Sequence, residues 1–327
     1  MIRKLTFLIF GWIILLYACK PETPGETEID YRKEMQVFVE EISTYAKGLH
    51  PGFIIIPQNG VELITVNGDT AGTPVREYLS AIDGMGQEEL FYGYEANDEE
   101  TPPEISRWLC GFLDMAKNEA GKKILVTDYC RTPAKVDNSY MQNYLKNYIS
   151  FAADHRELDD IPPYPHPIFR ENADSITHLE RATNFLYLIN PDNSFASKQE
   201  FINAVATTNY DLLITDLFFD GEAFTPQEVA QLRRKANGGS RLVIAYMSIG
   251  EAEDYRYYWQ PDWRPGNPSF IVKENPEWEG NYIVRYWDPA WKSIIYGNEQ
   301  SYTKKIIDAG FDGAYLDIID AYEQFEE

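Results

Sequence analysis

The chain has 327 residues, 44% of them apolar, and carries 52 acidic side chains against 29 basic ones. This length and composition suffice for one large domain with a full core or for two small ones. The net charge of −23 argues against a nucleic-acid partner, whose phosphate backbone needs a basic surface. It favours a neutral or cationic ligand instead.

The first nineteen residues resemble a bacterial lipoprotein signal peptide. Arg3 and Lys4 form a basic start, and Phe7–Leu16 is an apolar segment too short to span a bilayer comfortably. Cys19 ends a segment that resembles a lipobox. We therefore expect cleavage before Cys19, lipidation of its thiol, and a lipid-anchored protein of the bacterial cell envelope. An uncleaved anchor and a soluble secreted form are the alternatives.

The remainder of the chain is expected to form a short tether and one domain. Residues 20–29 are polar, contain proline and glycine, and predict the tether. Residues 30–327 are expected to form a single domain, interrupted by an irregular linker near residues 161–181, because Ile161–Pro167 contains four prolines. Cys110 and Cys130 are predicted to be buried thiols.

Short apolar runs that stop at polar residues predict nine strand candidates. In chain order they are Phe53–Ile56, Leu90–Tyr94, Ile124–Asp128, Ile149–Ala153, Phe185–Ile189, Leu212–Asp216, Leu242–Met247, Ile283–Trp287 and Gly313–Asp317. Helical spacing and helix-start signals predict helices between them, at Tyr31–Lys47, after Thr101, at Met141–Tyr148, after Thr225 and after Pro289.

Alternation of strands and helices predicts an α/β fold with a parallel sheet. Eight strands are needed for a (β/α)8 TIM barrel, and we take Ile149–Ala153 as the accessory ninth. A doubly wound open sheet is the competing architecture. It is disfavoured because the chain has no G-x-G-x-x-G or Walker sequence.

Acidic residues follow the apolar runs at the ends of several predicted strands. Asp128, Asp216 and Asp317 each end such a run, and Glu251 comes just after the central run Leu242–Met247. Parallel strands place their carboxyl ends on one rim, where barrels of this kind carry their chemistry. The sequence therefore predicts a carboxylate-rich site at this rim.

Five segments resemble glycoside hydrolase family 114, the endo-α-1,4-polygalactosaminidase-like TIM barrels. They are Met247–Arg256, Tyr286–Pro289, Gly310–Tyr322, Gly52–Gly60 and Val126–Cys130. The two parts of the family domain occur in this chain in the opposite order. The first part of the family domain resembles Phe185–Tyr322 of this chain, and the second part resembles Tyr31–Asp159. The resemblance thus implies a circularly permuted barrel whose strands Phe53–Ile56 and Gly313–Asp317 are neighbours.

Hydrolysis of a glycosidic bond needs two carboxyl groups across that bond. Asp317 is the predicted nucleophile, and Glu62 is the predicted acid/base. Glu251 and Asp216 are alternatives for either role. Predicted substrate-binding residues are Asp128, Asp254, Arg256, Tyr255, Asp288, Asp320, Asn59 and Glu95. Asp254 and Arg256 are expected to pair with each other or to bind sugar hydroxyls, and Asp128 and Asp288 have a structural role as the alternative.

Other chemistries find little support in the sequence. The four histidines, His50, His155, His166 and His178, do not show the spacing of a zinc hydrolase, and no G-x-S-x-G segment is present. We expect no metal and no cofactor. The predicted function is a glycosidase that cleaves an extracellular amino-sugar polysaccharide and meets the membrane only through its lipid anchor. The alternative is a non-catalytic cell-surface lipoprotein that binds glycan on the same barrel.

Overall fold

The computed structural model describes residues 29–326, and Tyr31–Glu327 form one compact unit. Its strands are β1 Ile54–Pro57, β2 Gly84–Glu88, β3 Lys123–Tyr129, β4 Ile149–Ala153, β5 Leu186–Leu188, β6 Leu212–Asp216, β7 Phe218–Phe219, β8 Glu222–Ala223, β9 Leu242–Ser248, β10 Glu251–Glu253, β11 Ile271–Glu274, β12 Asn281–Val284 and β13 Gly313–Asp317. Its α-helices are α1 Tyr31–Leu49, α2 Arg76–Ala81, α3 Pro103–Ala120, α4 Pro133–Leu145, α5 Lys198–Ala206, α6 Pro226–Leu232, α7 Pro289–Ile295 and α8 Tyr302–Asp308.

Two parallel sheets form the centre of this unit. One has the strand order β1-β13-β9-β6-β5, and the other has the order β2-β3-β4. A parallel bridge between Gln58 and Gly86 links the end of β1 to β2, and β4 lies against β5 at the opposite edges. The expected mixed α/β class with a parallel sheet is confirmed.

Strand β9 lies between β6 and β13, and all seven of its residues are buried. This burial on both faces explains why the run Leu242–Met247 is continuously apolar rather than alternating. Strand β1 pairs with β13 from Ile54 opposite Gly313 to Pro57 opposite Leu316. These two strands lie near opposite ends of the chain. The prediction that they are adjacent in the sheet is therefore confirmed.

The strand expected at Leu90–Tyr94 is wrong, because the chain forms its second parallel strand earlier, at Gly84–Glu88. That strand has the sequence GMGQE, which lacks the branched apolar residues typical of strands. The reason lies on another strand. A Cβ atom at position 86 would overlap the hydroxyl and ring of Tyr315 from β13. The glycine leaves space for a large side chain in the interior.

Two further strand predictions need correction. Ile149–Ala153 is not accessory, since it pairs in parallel with β3 over its full length as β4. The expected strand Ile283–Trp287 is instead Asn281–Val284, which pairs antiparallel with β10 and β11 in a small separate sheet. The described part of the chain contains eight parallel strands. Two of the nine predicted candidates, Leu90–Tyr94 and Ile283–Trp287, are not among these eight.

The irregular segment near residues 161–181 joins β4 to β5 without a helix or strand until a short 3-10 turn at Leu179–Arg181. Asn172 fixes it to the core by donating hydrogen bonds to both carboxylate oxygens of Asp211, at 3.0 and 2.9 Å. The segment takes the place that a helix occupies between other successive parallel strands.

The two ends of the compact unit meet. Arg32 of α1 forms an ion pair of 3.0 Å with Glu326, and the Tyr31 and Phe325 ring centroids are 5.4 Å apart. Among residues 29–326, no helix has the length and apolar character needed to cross a membrane. Cys19 and the predicted signal peptide lie outside the described residues, whereas Cys110 and Cys130 are buried free thiols, as predicted.

The packing of Tyr315 against β2 gives a stability prediction. Gly86→Ala should lower the free energy of unfolding by about 1–3 kcal/mol, because overfilling a packed core forces side chains and backbone to shift. Gly48→Ala is the matched control, since a Cβ at position 48 in α1 meets no atom within 4 Å. Denaturant unfolding measures both. Equal stability of the two variants would contradict the placement of β2 beside Tyr315.

Candidate active site

The candidate site begins at the carboxyl ends of three neighbouring strands, β13, β1 and β2. Asp317 is the last residue of β13, Gln58 follows β1 directly, and Glu88 is the last residue of β2. Because parallel strands end on the same side of a sheet, side chains distant in sequence meet at this rim.

Gln58 connects the two carboxylates. Its amide nitrogen Nε2 donates to Asp317 Oδ1 at 2.9 Å and to Glu88 Oε2 at 2.9 Å. The two accepting oxygens therefore lie no more than twice 2.9 Å apart. Gln58 is buried, whereas Asp317 and Glu88 are half-buried and keep a surface toward solvent. The result is a fixed, accessible carboxyl pair.

Further hydrogen bonds hold each acid in place. The Tyr246 hydroxyl of β9 donates to Asp317 Oδ2 at 2.7 Å. The Tyr129 hydroxyl of β3 donates to Glu88 Oε1, and the Asn59 amide donates to Glu88 Oε2 at 3.1 Å. Asn59 also accepts from the backbone N–H of Glu88 at 3.1 Å. Asn59, predicted to bind substrate, thus uses its amide to position Glu88.

The pair titrates at higher pH than ordinary carboxyl groups. Burial and, second, the charge of Glu88 raise the pKa of Asp317 to about 6. Burial also raises the pKa of Glu88, although hydrogen bonds from Tyr129 and Asn59 partly oppose the effect. Two like charges so close resist joint ionisation, so the pair tends to hold one proton.

Two more carboxyl groups surround Asp317. Burial, followed by the charges of Asp317 and Glu323, raises the pKa of Asp320 to about 7. Burial also raises the pKa of Glu251, which accepts a hydrogen bond of 2.8 Å from Asn275 and is repelled by Asp317. The structure therefore brings Asp317, Glu251 and Asp320 close enough to influence one another's charges.

Glu62 lies in a different environment. It follows β1 in a 3-10 turn, accepts a hydrogen bond of 3.3 Å from the Tyr322 hydroxyl, and interacts electrostatically with Arg32. Within residues 29–326, no hydrogen bond joins Glu62 to Asp317 or to Gln58. Its acid/base role stays a prediction, while Glu88 is the acid that shares a donor with Asp317.

Asp216 is bound in a buried ion-pair cluster. Arg256 contacts Asp216 through its two terminal nitrogens, at 2.9 and 2.7 Å, and Glu253 through Nε at 2.6 Å. The expected pairing of Arg256 with Asp254 is wrong, because Asp254 is exposed and Arg256 is directed inward. Tyr255 donates to Glu253 at 2.6 Å, and its ring is 60% exposed.

Three other predicted binding residues have contacts that favour different roles. Asp128 is fully buried and accepts hydrogen bonds from the backbone of Phe91 and Tyr92 and from the side chains of Ser139 and Asn143. Asp288 accepts from the Ala290 backbone at 2.8 Å and caps α7. Both contacts support the structural alternative. Glu95 is exposed in a loop, since the strand expected before it does not form.

The backbone after Asp317 is unusual. Ile318 has a φ of 57°, a left-handed conformation that branched residues rarely adopt. Its carbonyl oxygen lies against Gly250, where any Cβ atom would overlap it. The turn that follows Asp317 therefore requires a glycine at position 250, shortly after β9. Backbone strain of this kind clusters at functional sites.

One group of potential metal ligands occurs in the described part of the chain. Atoms of Asp154, His155 and Asp160, just after β4, lie within 4.8 Å of one another. The two His155 ring nitrogens each lie 2.6 Å from a carboxylate, those of Asp154 and Asp159. Burial alone would lower the pKa of His155, but the Asp159 hydrogen bond and Asp154 charge raise it. The contacts are those of a charged imidazolium.

Sequence reasoning missed Gln58, Glu88 and Tyr246 as site residues, and it considered Tyr129 only as a ring that could stack on sugars. Gln58 and Tyr129 lie within segments quoted for the family resemblance, and Tyr246 lies in the central strand, so their positions at a strand end were available signals. No such signal marked Glu88, because the sequence did not predict the strand that Glu88 ends. Only the pairing of β2 with β3 and the bridge to Gln58 reveal it.

Comparison with known proteins identifies the class. Residues 177–327 match glycoside-hydrolase family GH114. This match confirms the resemblance seen in the sequence motifs and supports glycosidase activity in general. Asp317, Glu251 and Asp320 lie inside the matched segment, whereas Gln58 and Glu88 lie outside it.

Curated relatives match the same chain only in part. A protein of Methanocaldococcus jannaschii is 38% identical over 159 residues, covering 48% of this chain and 43% of the relative. A protein of Deinococcus radiodurans is 43% identical over 128 residues, covering 39% of each. One of Thermotoga maritima is 34% identical over 123 residues, covering 38% of this chain and 36% of the relative. All three are described as uncharacterized. The chain thus spans about two fifths of their lengths.

The contact between the two acids predicts a coupled titration. Glu88→Gln should lower the pKa of Asp317 below about 6, because it removes a neighbouring negative charge that disfavours ionisation. Carbon-13 NMR titration of aspartate side chains measures this. Glu99→Gln, in an exposed loop, is the control and should leave that pKa unchanged. An unaltered Asp317 titration in Glu88→Gln would contradict the coupling.

Proposed function

We propose that this protein is a retaining glycosidase that cleaves an extracellular amino-sugar polysaccharide, with Asp317 as nucleophile and Glu88 as acid/base. The observation that carries the proposal is the Gln58 amide nitrogen, which donates to both carboxylates at 2.9 Å. It fixes two acids of raised pKa beside each other at an accessible rim. Glycosidic hydrolysis requires such a pair.

The separation of the acids supports retention. Retaining enzymes hold their carboxyl groups about 5–5.5 Å apart, and inverting enzymes about 6.5–9.5 Å apart, to leave room for water. The nearest oxygens of Asp317 and Glu88 are at most twice 2.9 Å apart. This upper bound lies below the inverting range and therefore favours direct attack by a carboxylate.

The roles follow from the titration of each group. With a pKa of about 6, Asp317 is ionised at neutral pH and can attack the anomeric carbon. Burial and, among the neighbouring charges, Glu89 raise the pKa of Glu88. In this mechanism the one proton that the coupled pair tends to hold is placed on Glu88 when substrate binds. Glu88 gives its proton to the leaving oxygen as Asp317 forms the glycosyl ester. It then takes a proton from the water that cleaves this ester.

The charge of the chain supports a cationic substrate. Besides the net charge of −23, four carboxyl groups surround the reaction centre: Asp317, Glu88, Glu251 and Asp320. A negative rim attracts a polymer with protonated amines and repels acidic polysaccharides. De-N-acetylated galactosamine polymer is the substrate that the family resemblance implies.

We further propose that the two parallel sheets close into a (β/α)8 barrel that is circularly permuted relative to the family. Pairing of β1 with β13, the contact of β4 with β5, and the Arg32–Glu326 ion pair support it. So does the family match, which begins at residue 177 rather than near the first strand. An experimental structure in which β4 and β5 were separated by another element would contradict this proposal.

Lipidation of Cys19 and attachment to the cell envelope are also proposals, supported by the N-terminal sequence. Stable anchoring requires more than one acyl chain, and a lipidated N-terminal cysteine supplies this. Cys19→Ala should move the protein from the membrane fraction to the soluble fraction. Unchanged membrane association would exclude the lipid anchor.

Activity on amino-sugar polymers tests the catalytic pair. Asp317→Asn and Glu88→Gln should each reduce kcat at least about 10²-fold, because each removes a group that acts in the transition state. Reducing-end release from de-N-acetylated galactosamine polymer measures it, with thermal unfolding as the check on folding. Glu119→Gln, on the helix end remote from the rim, is the charge-matched control.

The outcomes separate the alternatives. Full activity in Glu88→Gln with loss in Glu62→Gln would return the acid/base role to Glu62. Wild-type turnover in Asp317→Asn would remove the nucleophile. Binding of the polymer without turnover by the unmodified protein would favour a non-catalytic glycan-binding lipoprotein.

A further inference from the structure

Arg156, in the loop after β4, contacts three residues around Glu88. Its guanidinium forms an ion pair with Glu89, donates a hydrogen bond to the carbonyl oxygen of Gly93, and lies 4.6 Å from the centre of the Tyr129 ring. Glu89 follows Glu88 directly in the chain, and the Tyr129 hydroxyl donates to the Glu88 carboxylate. One side chain therefore reaches two immediate neighbours of the proposed acid/base.

The backbone at Glu89 depends on several supporting contacts. Its φ is 60°, a left-handed conformation that residues other than glycine rarely adopt. The N–H of Glu89 donates to the Thr127 carbonyl oxygen at 2.8 Å, and its own carbonyl oxygen accepts a hydrogen bond of 2.7 Å from Thr101. The ion pair with Arg156 holds the side chain as well. A strained residue persists only where its surroundings determine it, so these contacts fix the end of β2 that carries Glu88.

The Tyr129 ring is held by the same loop. A Cβ atom at Gly93 would lie 3.0 Å from Cβ and 3.1 Å from Cδ2 of Tyr129, so the backbone to which Arg156 donates packs directly on this ring. Tyr129 is 3% exposed and has little space in which to move. Because its hydroxyl donates to Oε1 of Glu88, the position of the ring sets the position of the carboxyl group.

The loop that carries Arg156 is itself fixed. Both ring nitrogens of the preceding His155 lie 2.6 Å from a carboxylate, those of Asp154 and Asp159. The carbonyl oxygen of Leu158 accepts two backbone N–H groups just after β5, at 2.9 and 3.3 Å. The Arg156 side chain is 39% exposed, so its ion pair alone contributes little to stability. A guanidinium on a fixed loop can nevertheless hold its partners in a defined geometry.

Arg156 and Glu89 place opposite charges beside Glu88. Burial is the main cause that raises the pKa of Glu88, and hydrogen bonds from Tyr129 and Asn59 lower it. Of the nearby charges, Glu89 raises this pKa and Arg156 lowers it. The other ionisable groups around Glu88 are Asp317, Asp320, Tyr129, Tyr187 and Tyr315. Burial raises the pKa of the three tyrosines, so they stay neutral where carboxyl groups titrate.

We propose that Arg156 is a positioning residue of the glycosidase, which fixes Glu88 for proton transfer through Glu89 and Tyr129 and offsets the charge of Glu89. Arg156 does not itself transfer a proton, because a guanidinium stays charged in proteins. The proposal rests on the glycosidase function proposed above. It adds a residue that lies outside the segment 177–327 that matches the family.

Replacement of Arg156 tests this role through kcat and its pH dependence. Arg156→Met should lower kcat about 10-fold and change KM little, because a misplaced catalytic group slows the reaction without weakening substrate binding. The alkaline limb of kcat/KM reports the protonated acid. It should move to higher pH, since a positive charge beside Glu88 is lost while Glu89 stays ionised. Arg156→Lys keeps the charge, so it should leave that limb in place and restore kcat in part.

Glu89→Gln is the counterpart with the opposite change of charge. It removes the negative partner and leaves the charge of Arg156 unbalanced, so the alkaline limb should move to lower pH. Arg181→Met is the matched control, because Arg181 is exposed, precedes β5, and lies 3.9 Å from its partner Asp174. It removes the same charge at the opposite end of the sheet and should change neither kcat nor the limb. Thermal unfolding checks that each variant folds.

Carbon-13 NMR of the Glu88 carboxyl group separates this proposal from the function on which it rests, since it follows the titration without turnover. Shifts of opposite sign in Arg156→Met and Glu89→Gln, together with the loss of kcat, support the positioning role. A Glu88 titration that is unmoved in both variants, or that shifts in one direction in both, overturns the positioning role but leaves the glycosidase function standing. Absence of turnover by the unmodified protein on every amino-sugar polymer overturns both.

Discussion

The site depends on one interaction, the pair of hydrogen bonds that the Gln58 amide nitrogen donates to Asp317 and Glu88. Two carboxylates this close repel each other, and burial makes their charges still less favourable. Gln58, Tyr246 and Tyr129 offset that repulsion with three donors whose positions are fixed by β1, β9 and β3. The strands thus hold a destabilising pair in a defined geometry, with a pKa near neutrality as the consequence.

The need to hold Asp317 and Glu88 beside each other also explains features of the structure that lie away from the two acids. Glu88 reaches the pair only because β2 lies beside β1, and β2 fits there because Gly86 makes space for Tyr315. Asp317 is followed by Ile318 in a strained conformation, whose carbonyl oxygen requires Gly250 on the neighbouring turn. The residues of the pair are far apart in sequence, so their meeting depends on the arrangement of strands and not on the order of the chain.

Much of this arrangement could be predicted from the sequence, for physical reasons that particular residues illustrate. Leu242–Met247 is buried on both faces and so is apolar throughout, and Asp317 ends a similar run. Glu88 could not be predicted, because Gly86 in its strand responds to Tyr315 on β13 rather than to any local preference. The partner of Arg256 was also wrong, since nearness in sequence favoured Asp254 whereas the fold turns the guanidinium inward to Asp216 and Glu253. Contacts between distant strands carry information that no local pattern holds.

The stereochemistry of the reaction tests the central claim most directly, because it reports the spacing of the carboxyl pair during catalysis. Proton NMR of the first product formed from a de-N-acetylated galactosamine oligosaccharide distinguishes the two anomers before they equilibrate in water. A pair held as closely as Asp317 and Glu88 predicts an initial product with the anomeric configuration of the substrate. An initial product of opposite configuration would contradict direct attack by Asp317 and require a water molecule between the sugar and the base.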